Sequence, residues 1–358
     1  MRRMITFEFR KIFTRRIPVL GMGILLLFNL LFLSSVWRSM YATDGREAEA
    51  TGMQAITLDK RIAEKYEGVL TDKKVKQMLE DFRPTTDLHG MNAAYLYQNS
   101  TQSAAYARFS DIDGNWNGLT VRDVYGDEKI QIGYVYGWLS VSQELVRIFF
   151  MLMLLEILMV APVFSGEYGG ADSLILTTRY GKTRGTAAKV AAAFLAAFLL
   201  TLFFVVFDLT AAFAVFGSEG LDCSIRFAPS EFTEYYIPFN LTCGQLLGYQ
   251  ILLIFTCTFA VTGMTLFVSA ACRSQIAALA VSLAVFAAPM ICNISEGDPL
   301  YRMIVLTPVY QVQFISLMSV DQMKNGLLYA VWALPEAFVL AAVGGGCSRK
   351  IFAGHQVS

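Results

Sequence analysis

The chain has 358 residues, of which 55% are hydrophobic and 16% are charged, and 29 basic residues balance 29 acidic ones. Because this is too apolar for an ordinary soluble domain of such length, an integral membrane protein is expected. A net charge of zero gives no reason to expect a nucleic-acid partner, and two histidines with six scattered cysteines give none to expect a metal site.

The first 16 residues form a basic leader, which is predicted to be a short amphipathic helix in the cytoplasmic membrane interface. Its apolar residues share one helical face: Ile5, Phe9, Ile12 and Phe13. Its cations lie largely off that face, where they can approach anionic headgroups of membrane lipid: Arg2, Arg3, Arg10 and Lys11. A topology signal with no further role is the alternative.

Six stretches are apolar over about the 20 residues that a spanning helix requires. In chain order they are Ile17–Val36, Glu144–Phe164, Ala187–Phe216, Gln245–Val268, Gln275–Cys292 and Gly326–Gly346. Pro335 and Glu336 interrupt the last one. The first is longer than the apolar part of a signal peptide, about 7–15 residues, and no clear cleavage site follows it, so a retained anchor is expected. The predicted fold class is an all-α membrane protein with six transmembrane helices.

Residues 37–143, between the first and second spans, are predicted to form a mainly helical extracytoplasmic domain. Apolar residues recur there at helical spacing, and in one stretch Thr71 offers an N-cap while Pro84 ends the helix. Residues 110–119 are rich in glycine, asparagine and aspartate, which predicts a loop.

Lysine and arginine in the short connections set the orientation, because these residues resist translocation. They cluster before the first span, between the second and third and after the sixth, and one lies between the fourth and fifth. The opposite connection, residues 217–244, carries four acids against Arg226 alone. Both termini, with a tail of residues 347–358, are therefore predicted to be cytoplasmic in a multi-pass protein of the cell membrane.

Two cysteines flank that same outer connection, Cys223 and Cys243. They can form a disulfide if the compartment is oxidising. Reduced cysteines that simply pack at the interface are equally ordinary, so both interpretations stay open.

Three acids fall within the predicted spans: Glu156, Asp208 and Glu336. An ionisable group in hydrocarbon is costly and usually faces a partner or a wet cavity. The acids therefore either line a translocation path or are held by neighbouring side chains. In the second case Arg147, near the outer end of the second span, is expected to reach Asp208.

The connector between the second and third spans, residues 165–187, has a composition of its own. The sequence from Phe164 reads FSGEYGGADSLILTTRYGKTRGTAAK: acids and glycines first, then a threonine pair, then a basic cluster. Gly181, Lys182 and Thr183 match the tail of a Walker A loop, but Leu176 stands where that motif requires a glycine. No nucleotide site is therefore expected in this chain, and no catalytic motif is present.

This plan and this connector resemble the permeases of type-2 (ABC-2) export ABC transporters in bacteria. The resemblance implies that the connector forms a coupling helix that docks on a separate ATPase subunit, where ATP and Mg are bound. It further implies a permease dimer, of the same or different chains, with two ATPase subunits and an unidentified exported substrate. The predicted coupling residues are Glu167, Gly170, Leu174, Leu176, Thr177, Arg179, Lys182, Arg184 and Lys189.

Two alternatives to this assignment stay open. The connector can be an ordinary basic loop on the cytoplasmic side. The protein can also be a membrane-anchored sensor or assembly factor whose extracytoplasmic domain binds a ligand.

Overall fold

The structure is a computed structural model that describes residues 1–85, 89–168, 170–229, 239–292, 298–313 and 329–355. Its helices are α1 (Arg2–Phe13), α2 (Arg16–Ser39), α3 (Gly52–Glu64), α4 (Asp72–Asp81), α5 (Ser100–Phe109), α6 (Val121–Tyr125), α7 (Tyr136–Val160), α8 (Pro162–Ser165), α9 (Ala171–Thr177), α10 (Thr186–Phe216), α11 (Cys243–Ala271), α12 (Gln275–Ile291), α13 (Pro299–Val305), α14 (Pro308–Gln311) and α15 (Tyr329–Gly354). Short turns of 3₁₀ and π helix lie at Ala93–Tyr95 and Gly181–Gly185. The strands form two antiparallel pairs, β1 (Tyr41–Thr43) with β2 (Glu49–Thr51) and β3 (Gly68–Val69) with β4 (Gln131–Ile132). With 72% of residues helical, the predicted mainly helical class is confirmed.

Among the residues that the structure describes, five helical stretches are long and apolar enough to cross a membrane: Arg16–Ser39, Tyr136–Ser165, Gly181–Phe216, Cys243–Ala271 and Tyr329–Gly354. They correspond to five of the six predicted spans. The stretch predicted as the fifth span is the shorter helix α12, with 17 residues. At about 1.5 Å per residue it is about 26 Å long, slightly less than the hydrocarbon layer of about 30 Å.

Two boundaries differ from the prediction. Helix α7 begins at Tyr136 rather than Glu144, because its first turns are also buried: the Trp138 indole donates a 2.9 Å hydrogen bond to the carbonyl of Glu219. Helix α15 runs through Pro335 to Gly354, so the residues that interrupt the apolar run do not break the helix, and much of the predicted tail is helical. Packing of neighbouring helices around a proline makes such continuity tolerable in a membrane. Residues 326–328 of the predicted last span lie outside the described residues.

Helices α11 and α15 form the tightest pair in the bundle. A side-chain carbon at Gly263 would lie 2.7 Å from the Cα of Ala341, and one at Gly344 would overlap the backbone of Gly263. Only glycine permits this approach. Small residues at the contact are what association within lipid requires, since lipid provides no hydrophobic drive between helices.

The residues between α2 and α7, 40–135, are called here the first-loop domain. They form a second hydrophobic core, which Phe227 from the connection after α10 joins. Its largest members are Tyr66, Met78, Tyr106 and Phe109. The predicted cap of α4 is confirmed, since the Thr71 hydroxyl accepts a 3.3 Å hydrogen bond from a backbone N–H, and α4 ends before Pro84.

An internal acid ties α3 to α5 in this domain. The carboxylate of Asp59 accepts hydrogen bonds from the Ser100 N–H at 3.0 Å and from its hydroxyl at 2.9 Å. Burial nevertheless raises the pKa of Asp59 to about 6. On the side facing the bundle, Lys60 of α3 forms a 2.6 Å ion pair with Glu219, just beyond the end of α10.

Candidate functional site

The connector leaves the bundle by a sharp turn and exposes one short helix. Helix α8 ends at Ser165, α9 covers Ala171–Thr177, and one π-helical turn leads into α10. Gly166 makes the exit possible, because a side-chain carbon there would lie 2.6 Å from the carbonyl oxygen of Pro162. Residue 169 lies outside the described residues.

A cluster of four charges, two of them buried and two partly exposed, fixes the base of the connector. The ammonium of Lys189, at the start of α10, contacts the carboxylates of both Glu167 and Glu8, the latter at 2.9 Å. Lys11 of α1 approaches the same Glu167 oxygen to 2.6 Å. Only 2% of the Lys189 side chain and 3% of the Glu167 side chain are exposed. Two cations and two anions thus neutralise one another where water is scarce, and they join α1, the connector and α10.

Three predicted coupling residues therefore face the chain's own interior: Glu167, Leu176 and Lys189. Glu167 and Lys189 are the two buried members of the charge cluster, and Leu176 belongs to the main hydrophobic core. They are held by contacts within the chain and present no surface to a partner. Their place in the molecule is to position the connector.

The other six predicted coupling residues are exposed: Gly170, Leu174, Thr177, Arg179, Lys182 and Arg184. Leu174 is 73% exposed at the centre of α9. Tyr180, which the sequence did not single out, is 41% exposed, and the guanidinium of Arg184 lies over its ring at 4.5 Å from the centroid. We call these seven residues the connector surface.

The end of α15 supports the connector from the other side. The His355 imidazole lies 3.3 Å from a carboxylate oxygen of Asp172, the second residue of α9. The ring of Tyr168 packs on that imidazole at 4.8 Å between centroids, and its hydroxyl donates a 2.5 Å hydrogen bond to the carbonyl of Ala270 in α11. Nothing local in the sequence signals this contact, because its partners are far apart in the chain.

Each of the three acids predicted as candidates for the translocation path has a neutral donor as its neighbour. Glu156 is fully enclosed and accepts a 3.3 Å hydrogen bond from the Thr201 hydroxyl. Glu336 accepts a 2.6 Å hydrogen bond from the amide of Gln311 on α14. The acids thus lie in different helix contacts, each with its own partner.

The predicted pair of Arg147 with Asp208 is wrong. Asp208 instead accepts a 2.7 Å hydrogen bond from Asn29 of α2, with both side chains buried. Arg147 lies 2.5 Å from Glu144, one turn back along α7. A partner on its own helix was already in reach, so the arginine does not bridge to α10.

Cys223 and Cys243 are neighbours that carry free, buried thiols. Their backbones are joined by a 2.9 Å hydrogen bond from the Cys243 N–H to the Cys223 carbonyl. Burial raises the pKa of the Cys223 thiol to about 12. The disulfide stays a prediction.

Within the described ranges, no three histidine, cysteine or acidic side chains lie close enough together to hold a metal ion. No known relative is found. The chain matches no family model, no curated protein and no solved structure.

Proposed function

We propose that this chain is the transmembrane permease subunit of an ATP-driven ABC exporter, with ATP and Mg bound on a separate ATPase subunit. The observation that carries the proposal is the connector surface: an exposed leucine on α9, followed by an exposed tyrosine and three cations in the turn that leads into α10. The permease operates as a dimer of identical or different chains. Its substrate, whether peptide, antibiotic, lipid or ion, is not specified by these residues.

The connector surface has the composition of a docking site. Leu174 and Tyr180 supply apolar anchors, and buried apolar and aromatic side chains dominate the free energy of protein interfaces. Arg179, Lys182 and Arg184 surround them and can pair with acids on a partner, which favours fast and specific association.

The charge cluster beneath this surface supports a role in transmitting motion. Lys189 begins the long helix α10 and contacts the connector through Glu167. A displacement of the connector is therefore passed directly to a spanning helix rather than absorbed by a loose loop. Transport driven by a separate ATPase needs a connection of this kind.

Six spans with both termini inside agree best with this function, and we take α12 as the fifth of them. Its 17 residues, most of them apolar, suffice if the bilayer thins slightly around it. After α12, Val309 of α14 packs with Val261 and Ile157, which lie well inside α11 and α7. Such a short helix is tolerated at that depth where protein surrounds it.

Reconstitution with the neighbouring ATPase tests the proposal. A tagged chain purified from its native host is expected to carry an ATPase subunit, and the dissociation constant of that pair is then measured with purified proteins. Leu174→Asp should weaken binding about 30-fold or more, as for a hot-spot residue worth about 2 kcal/mol. Leu119→Asp, at an exposed leucine of the first-loop domain, is the matched control and should have no effect. Equal affinities of the ATPase subunit for the wild-type chain and both variants would refute docking at the connector surface.

A membrane-anchored sensor or assembly factor is the second candidate, and the first-loop domain favours it. That domain forms the second hydrophobic core, and a polar cavity of about 390 Å³ lies where α3 meets the end of α10. Its lining includes Lys60, Glu64 and Tyr134. A gene for a kinase beside this one, without an ATPase gene, would support the sensor.

A further inference from the structure

A second cavity, of about 620 Å³, lies at the end of the bundle where α2 and α12 begin. Its walls come from the start of α2, the α7–α8 junction and the first turns of α12. Most of them are apolar: Ile17, Pro18, Leu158, Pro162, Ile276 and Leu279. The cavity opens sideways from the bundle, since Ile17 is 67% and Ile276 is 81% exposed.

Two arginines lie at the mouth of this apolar cavity, Arg15 and Arg16. Among the described residues neither side chain has an ion pair or a hydrogen bond. Arg15 is partly buried, and this burial lowers its pKa against the opposing field of Glu167 and Glu8. Both of those acids are already paired with Lys189. The cavity lining itself contains no acid, so its two positive charges are not compensated from within.

The start of α12 adds to this positive potential. Ser274 is its N-cap residue but makes no side-chain hydrogen bond to the first turn. The first N–H groups of a helix have no partner inside the helix and carry its positive dipole end. Gln275 and Ile276 of that turn line the cavity.

We propose that this cavity binds an anionic phospholipid of the cytoplasmic leaflet. The phosphate lies between Arg15 and Arg16, and one acyl chain follows the apolar wall toward Leu158 and Leu279. The lipid assignment rests on the proposed function only for the orientation of the chain, which places this end of the bundle at the cytoplasmic leaflet. Basic pockets between spanning helices on that side are suited to anionic headgroups. A zwitterionic headgroup fits less well, because no acid in the lining meets its ammonium group.

Lipid binding to the purified full chain in detergent tests this assignment. Native mass spectrometry counts the bound copies of phosphatidylglycerol and of phosphatidylcholine with the same acyl chains. The wild-type chain should retain phosphatidylglycerol selectively. Arg15→Gln combined with Arg16→Gln should lower the affinity for phosphatidylglycerol about 30-fold, given the usual contribution of two cations near an anionic lipid, and should leave phosphatidylcholine unchanged.

A matched control removes the same charge elsewhere on the leader. Arg2→Gln combined with Arg10→Gln changes two exposed cations of α1 that do not line the cavity, and it should preserve the selectivity. A third variant, Ile276→Trp, fills the groove from an exposed position without changing the charge. It should lower phosphatidylglycerol binding while the chain stays folded by circular dichroism.

Three results would overturn the proposal. If the variant with Arg2→Gln and Arg10→Gln loses as much affinity for phosphatidylglycerol as the variant with Arg15→Gln and Arg16→Gln, the lipid is attracted by the basic leader in general. Unchanged binding in the Ile276→Trp variant would show that the groove holds no acyl chain. Competition by glycerol 3-phosphate at equal concentration would show a site for free anions. The assay contains no ATPase, so its failure is separate from failure of the docking experiment.

Discussion

Removing Lys189 should destabilise the protein more than removing any exposed lysine of the connector. Lys189→Met keeps the length of the side chain but leaves Glu167 and Glu8 without the cation that both contact. Breaking a buried ion pair at one partner costs about 3–5 kcal/mol, because a charge is left uncompensated. Lys11 still pairs with Glu167, so we expect the lower end of that range, about 3 kcal/mol.

The measurement is unfolding of the purified chain by a denaturing detergent, followed by the loss of helical circular dichroism. Lys182→Met is the matched control, since Lys182 is exposed on the same connector, and it should change the free energy of unfolding by less than about 0.5 kcal/mol. The double variant Lys189→Met, Glu167→Leu should recover most of the loss, because both fully buried charges are then removed and the charges left unpaired, Glu8 and Lys11, are partly exposed to water. A loss in Lys189→Met no larger than in Lys182→Met would refute the charge cluster as the anchor of the connector.

Further predictions concern the first-loop domain, the dimer and the topology. Burial raises the pKa of Asp59 to about 6, above the unfolded value of about 3.9. The folded domain therefore binds more protons at Asp59 than the unfolded chain does, and its stability should fall as pH rises from about 4 to 6. Asp59→Asn should remove that pH dependence in denaturant titrations across this range, and an identical slope in both proteins would contradict the prediction. Ala284, exposed on α12 in line with Ala280 and Ala288, is expected at the subunit contact, so Ala284→Phe should reduce cross-linking between subunits, whereas Ala214→Phe on exposed α10 should not. A cysteine at Lys182 should be shielded from an impermeant thiol reagent in intact cells while one at Lys73 is labelled, and labelling at both would exclude the proposed topology.

Hydropathy was enough to locate the long helices, because the requirement for about 20 apolar residues is imposed by the bilayer rather than by the fold. It was less reliable at helix ends. The contact of Trp138 with Glu219 accompanies the extension of α7 back to Tyr136, and α15 continues through Pro335. Neither feature is visible in the local sequence. The exposure of the charged residues in the second half of the connector could be predicted from the sequence, because charged side chains are costly to bury.

The partners of buried polar groups were not predictable. Sequence marked Lys189 as part of a motif, but its contact with Glu8 depends on how α1 folds back against α10. The expected pair of Arg147 with Asp208 assumed that α7 and α10 turn those residues toward each other. In the structure Asn29 of α2 occupies that place, and a neutral asparagine gives no signal in a search for opposite charges.

The close contact between Gly263 and Gly344 makes α11 and α15 a single mechanical part. Backbones in direct contact cannot slide without clashing, so the two helices move together. The α11–α15 pair contacts the connector through the hydrogen bond of Tyr168 and through His355, while α1 and α10 contact it through Glu167. The connector is therefore attached to both helix pairs, and it cannot change its position without changing its contacts with at least one of them.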